Sequence, residues 1–115
     1  METITRDDLE SAAAVVHAHV PPTPEIAWPL LSERAGAEVW VKHENHTPIG
    51  AFKVRGGLLA MDRLRHRHPG VIGVISATRG NHGKSVAFAA RKRLASMVFR
   101  LILFLCSKMA CARPK

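Results

Sequence analysis

An α/β fold, with helices flanking a parallel sheet in three layers, is the class that this 115-residue sequence predicts. Three observations carry it. Apolar stretches of strand length, "AEVWVKHE" and "VIGVISAT", alternate with stretches of helical period. The second stretch is almost wholly apolar, as in a strand buried on both faces of a parallel sheet. Each stretch then runs into a turn, "NHTPIG" and "RGNHG", that opens a helix, and such sheets hold ligands where a strand's carboxyl end turns into a helix.

The elements follow in order. "TRDDLESAAAVVHAHV" predicts a first helix, with Thr5 as its cap, Asp7 and Asp8 in the first turn and helix-favouring alanines behind them. "PPTP" ends it. "PEIAWPLLSERAG" reads as a loop with at most a helical turn, closed by Gly36. "AEVWVKHE" alternates as a strand does. From Ala51 to about His66 the period becomes helical, with Phe52, Leu58, Leu59, Met61 and Leu64 as the apolar set. "HPG" breaks that helix, "VIGVISAT" supplies the next strand, and "KSVAFAARKR" a third helix with small residues on one side. No internal repeat or low-complexity segment is visible.

The basicity is local. The chain carries a formal charge of +8. Residues 1–90 hold ten Lys/Arg against nine Asp/Glu, whereas residues 91–115 hold seven Lys/Arg and no acid. Body and tail therefore differ in kind. Cys106 and Cys111 lie in that tail, at a spacing that makes neither a disulfide framework nor a zinc site, so a cytoplasmic setting is expected. The N-terminus has no secretory signal pattern, and the longest apolar run, broken by Arg100, is short for a bilayer.

One cation stands in an unusual place. Lys53 follows Phe52 at a helix start, where the partial positive charge of the helix disfavours a cation. An amine placed there is favoured in its neutral form, more so if partly buried, and a neutral amine attacks aldehydes to form imines. An ordinary solvated lysine is the plainer alternative. The second turn, Thr78 to Gly83, offers backbone N–H groups at a helix start, a setting that binds phosphate or carboxylate. The plainer alternative there is a common glycine turn.

Three stretches together carry a resemblance. "KHENHTPIGAFKVRGG" is similar to the lysine motif of the fold type II pyridoxal-phosphate enzymes, in particular the threonine and serine dehydratase group. "SATRGNHGKSVAFAA" is similar to that group's S-x-G-N-H loop, and "PPTP" resembles its Thr-Pro segment, all three in the group's order. The resemblance implies the N-terminal part of a tryptophan-synthase-β-like fold with pyridoxal 5'-phosphate as cofactor. It implies that Lys53 is the catalytic lysine, forming the imine with the cofactor and removing the substrate's α-proton. It further implies that Phe52 packs by the cofactor ring and that Asn81 hydrogen-bonds its phenolic oxygen. Thr78, Gly80 and His82 are implied to line the loop for the substrate carboxylate, and Arg79 lies in that same loop. The implied reaction is β-elimination from a small hydroxy amino acid, threonine, serine or 3-hydroxyaspartate, giving a 2-oxo acid and ammonia, in an enzyme expected to be a homo-oligomer. No metal, nucleic-acid or membrane partner is expected.

Two departures bear on this. Arg79 stands where many relatives have a serine that handles protons in racemases, and arginine is a poor proton shuttle, so racemase activity is not expected. After Arg93, "LASMVFRLILFLCSKMACARPK" does not resemble the group. The expected division is therefore a dehydratase-like part over 1–93 and a divergent basic tail over 94–115, as in a truncated or frameshifted reading frame, inactive by itself. Two alternatives remain open. "TRGNHGKS" is one glycine short of a Walker A loop, and the basic tail invites a nucleic-acid or membrane reading. "HENH" is one residue short of the zinc protease spacing.

Overall fold

The computed structural model describes residues 3–78, 80–93 and 103–104. Helix α1 (Arg6–His17) starts where its cap predicts. Thr5 Oγ1 accepts the Asp8 N–H at 3.2 Å, and the Asp8 carboxylate takes the Thr5 N–H at 2.9 Å and the Thr5 hydroxyl at 2.7 Å. The hydroxyl bond, then the backbone bond, hold the Asp8 carboxyl below its ordinary range.

The stretch "PEIAWPLLSERAG" is more ordered than a loop. It contains strand β1 (Glu25–Ala27) and helix α2 (Pro29–Ala35). Strand β1 pairs antiparallel with β2 (Trp40–Lys42), Ile26 opposite Val41, which adds an antiparallel ribbon to the expected sheet. A three-residue exposed strand leaves no periodic trace, which is why its sequence reads as loop. Helix α2 does carry signals: Pro29 stands in its first turn and Gly36, at φ 64°, closes it.

A short 3₁₀ turn (Glu44–His46) leads to helix α3 (Lys53–Arg67). Val54, Leu58 and Met61 are its buried residues, whereas Phe52, expected among the apolar set, is 63% exposed. Helix α4 (Asn81–Arg93) starts three residues earlier than "KSVAFAARKR" suggests. The two helices run side by side in the same direction. Ser85 of α4 bonds to Lys53 at the start of α3, and Arg65 near the end of α3 donates to the Arg93 carbonyl that ends α4. Their interface, with Val16 and Val20 of the N-terminal segment, forms the core around Leu58, Val54 and Ala89.

Parallel pairing appears where β3 (Ser76–Ala77) meets β4 (Leu103–Phe104), Ser76 opposite Leu103. The strand expected over "VIGVISAT" is thus paired only near its end. Ile72 and Ile75 are 83% and 75% exposed, not buried on both faces. Burial on two faces needs layers on both sides, and among the described residues nothing covers these two. Apart from β4, the tail over 94–115, with both cysteines, lies outside the described residues, as does Arg79. Among the described residues no helix is long and apolar enough to cross a membrane.

Candidate functional site

The turn before Lys53 is built to present it. The Gly50 N–H closes the turn on the Thr47 carbonyl at 2.9 Å, and Gly50 takes φ 70°, a left-handed conformation that favours glycine. Thr47, buried, then clamps the exit. Its Oγ1 accepts the Ala51 N–H at 2.8 Å and its O–H donates to the Ala51 carbonyl at 2.9 Å. Two residues later α3 begins at Lys53 itself, as its sequence position predicts. Burial of that amine does not materialise: Lys53 is exposed.

Glu44 braces the same turn from outside. Its carboxylate accepts Arg55 Nε at 2.9 Å, a second Arg55 nitrogen at 3.0 Å, and the Thr23 hydroxyl at 2.7 Å. Thr23 belongs to "PPTP", and its carbonyl accepts Lys42 Nζ at 2.9 Å. The first turn of α3, the Thr-Pro segment and β2 are thereby joined. The Arg55 bond is the main cause that holds the Glu44 carboxyl below its ordinary range, against partial burial that pushes the other way. A depressed carboxyl contributes stability that is present above its unfolded pKa, ~4.3, and that fades as pH falls through the folded value. Acidification from pH 7 to pH 4 is therefore expected to lower the thermal midpoint of the wild type more than that of Glu44→Gln, measured by circular dichroism. An equal decline in both proteins would show that this pair does not couple to folding.

Lys53 borders a cavity of about 610 Å³, within the range of small-molecule sites. Phe52, Gly57, Ser76, His82 and Ser85 are among its other walls. The cavity thus brings together Lys53, Phe52 and His82 of the expected site. Asn81, the first residue of α4, and Thr78 and Gly80 in the loop are not on its walls. Thr78 instead organises the loop: its Oγ1 accepts the Gly83 N–H at 3.1 Å and the Gly80 N–H at 3.3 Å. The Gly83 and Lys84 N–H groups are also bonded to the Gly80 carbonyl, so two amides that a Walker-type loop would offer to phosphate are engaged within the loop. His43 and His46 lie with ring centroids 5.9 Å apart, and His43 Nε2 accepts from Trp28 Nε1 at 3.1 Å. Among the described residues no group of three or more metal-ligating side chains gathers.

Three wall residues, Gly57, Ser76 and Ser85, carry no expectation from the sequence reading. For Gly57 a signal existed. Adjacent glycines inside a helical pattern, Gly56 and Gly57, mark a close approach.

Comparison with known proteins assigns the family. The model of the pyridoxal-phosphate dependent enzymes matches residues 16–109. The chain belongs to this family. The match includes most of the segment after Arg93. Among relatives, L-threonine dehydratase from Corynebacterium glutamicum is 32% identical over 90 residues, covering 78% of this chain and 20% of that protein. L-threo-3-hydroxyaspartate ammonia-lyase from Saccharomyces cerevisiae is 33% identical over 87 residues, covering 76% of this chain and 26% of that protein. Among solved structures, a pyridoxal 5'-phosphate-dependent aspartate racemase superposes with TM-score 0.75 at 28% identity, covering 90% of this chain and 32% of that one. A bacterial-type threonine deaminase, from T.th., gives TM-score 0.68 at 26% identity, covering 84% and 33%. The fold is therefore that of the pyridoxal-phosphate enzymes, of which this chain spans roughly a fifth to a third.

The family's cofactor suits this cavity. It needs a primary amine for its aldehyde, and the Lys53 amine is on the wall. It needs room for a substituted ring, which the volume supplies, and polar partners, which Ser76 and His82 can offer.

Proposed function

We propose that these residues form the lysine-bearing part of a pyridoxal-phosphate-dependent ammonia-lyase that eliminates water from a small hydroxy amino acid. The single observation that carries the reading is the placement of Lys53. It begins α3, at the end of a clamped turn, on the wall of a cavity shared with the start of α4. The cofactor, when bound, supplies an aldehyde for the amine and a conjugated ring that accepts the electrons released at Cα. Lys53 would hold it and then take the α-proton from the substrate. Phe52 and Asn81 would bear on the ring, and Thr78, Gly80 and His82 would serve the loop for the carboxylate. Loss of the β-hydroxyl as water, with hydrolysis, gives a 2-oxo acid and ammonia. The enzyme is cytoplasmic and homo-oligomeric in this reading.

The 115 residues alone are expected not to sustain turnover, because they span so little of the relatives' length. Purified chain releasing 2-oxobutanoate from threonine would contradict this.

Substrate choice turns on Arg79. A guanidinium binds a carboxylate in a paired, charge-assisted contact. Threonine has one carboxylate, whereas 3-hydroxyaspartate has a second for Arg79 to take. Two relatives named for dicarboxylates, the yeast ammonia-lyase and the aspartate racemase, favour that reading. In an intact parent enzyme, Arg79→Ser is expected to lower kcat/KM for 3-hydroxyaspartate by roughly thirtyfold, about 2 kcal/mol, and to leave threonine nearly unchanged. An equal change for both substrates would return the assignment to threonine or serine.

A further inference from the structure

Ser85 sits where a serine is hard to justify by packing alone. It is 1% exposed, in the first half of α4, against α3. A buried hydroxyl needs a partner. Within a helix, serine usually finds one in a carbonyl of its own preceding turn. Here it reaches across instead, and its Oγ donates to the Lys53 carbonyl at 2.6 Å. In a helix that begins at Lys53, that carbonyl already receives the N–H four residues on, and its second lone pair is free for the serine.

Gly57 makes the contact possible. A Cβ built there would lie 2.1 Å from Ser85 Oγ and 3.1 Å from the Ser85 carbonyl oxygen. The glycine costs α3 helical propensity, and in return lets the backbone of α4 come close enough for the hydroxyl to reach Lys53. Gly57, Ser85 and Lys53 all border the same cavity.

We propose that Ser85 is a positioning residue for Lys53. Its hydroxyl, admitted by Gly57, fixes the backbone that carries the amine against the helix that opens from the 78–83 loop. The inference rests on the reading of Lys53 as the cofactor lysine and adds the device that sets its place. A side chain on an exposed, mobile stem samples many positions. Holding its Cα relative to the opposite wall narrows that range, and orientation of this kind governs imine formation as it governs other reactions between held groups.

The test uses the full 115-residue chain, with pyridoxal phosphate as probe. The readout is the ratio of borohydride-trapped pyridoxyl on Lys53 to that on Lys92, at the far end of α4, by peptide mass spectrometry. Circular dichroism confirms folding, and amide exchange of the first turn of α3 gives a readout free of cofactor. Ser85→Ala is expected to lower the Lys53/Lys92 ratio about fivefold, as befits one lost hydrogen bond, and to speed exchange at the start of α3. Gly57→Ala is expected to do the same by displacing the hydroxyl. The double variant Gly57→Ala/Ser85→Ala should be no worse than the poorer single variant, because both act through one contact. An unchanged ratio in folded Ser85→Ala, or additive losses in the double variant, would overturn the proposal while leaving the role of Lys53 intact. A wild type that shows no preference for Lys53 would overturn the reading beneath it, and the proposal with it.

Discussion

Lys53→Ala abolishes the visible absorbance that the protein develops with pyridoxal phosphate and brings trapped label down to what the other exposed lysines take. The effect is all-or-none because no other amine among the described residues is placed like this one. Lys42 donates to the Thr23 carbonyl on the far side of the turn, and Lys84 and Lys92 are not on the cavity wall. Folding should survive. Lys53 is exposed at the first position of α3, alanine is a good helix former, and exposed changes of this kind stay within about 0.5 kcal/mol. Loss of absorbance with an unchanged unfolding midpoint separates a chemical role from a structural one. Undiminished absorbance in the variant would remove Lys53 from the site.

The second large effect is on stability. Leu58 is 0% exposed at the centre of the core that joins α1, α3 and α4. Leu58→Ala is expected to cost about 3 kcal/mol, the transfer free energy of the lost methyl groups plus the cavity that a packed interface cannot close. Urea titration should show a lower midpoint at unchanged slope. A loss below about 1 kcal/mol would mean that the helices are held by something other than this cluster.

The site was legible in the sequence wherever the chemistry is local. Lys53 after a proline turn, the glycine loop before α4 and the Thr5 cap need only a few neighbouring residues to be recognised, and the structure places all three at helix starts. What is not local was not legible. The Glu44 brace joins residues 21 and 11 positions apart, to Thr23 and Arg55, and no spacing rule points to it. The Ser85 contact spans 32 positions, and only the glycine pair in α3 hinted that something approaches there. Apolar pattern likewise reports what a stretch can bury, not what covers it. "VIGVISAT" reads as an interior strand, yet Ile72 and Ile75 are exposed because burial depends on neighbours that the stretch itself does not encode. Phe52 misled for a related reason. It fits the helical apolar period, but it sits at the N-cap, on the rim of the cavity.

Peptide mapping of the borohydride-reduced protein after equilibration with pyridoxal phosphate tests the central assignment most directly. The pyridoxyl group is expected on Lys53, well in excess of Lys42, Lys84 and Lys92, and this excess should vanish when the protein is unfolded in urea before labelling. Label distributed evenly among the four lysines of the folded protein, or concentrated on one of the other three, would contradict the assignment.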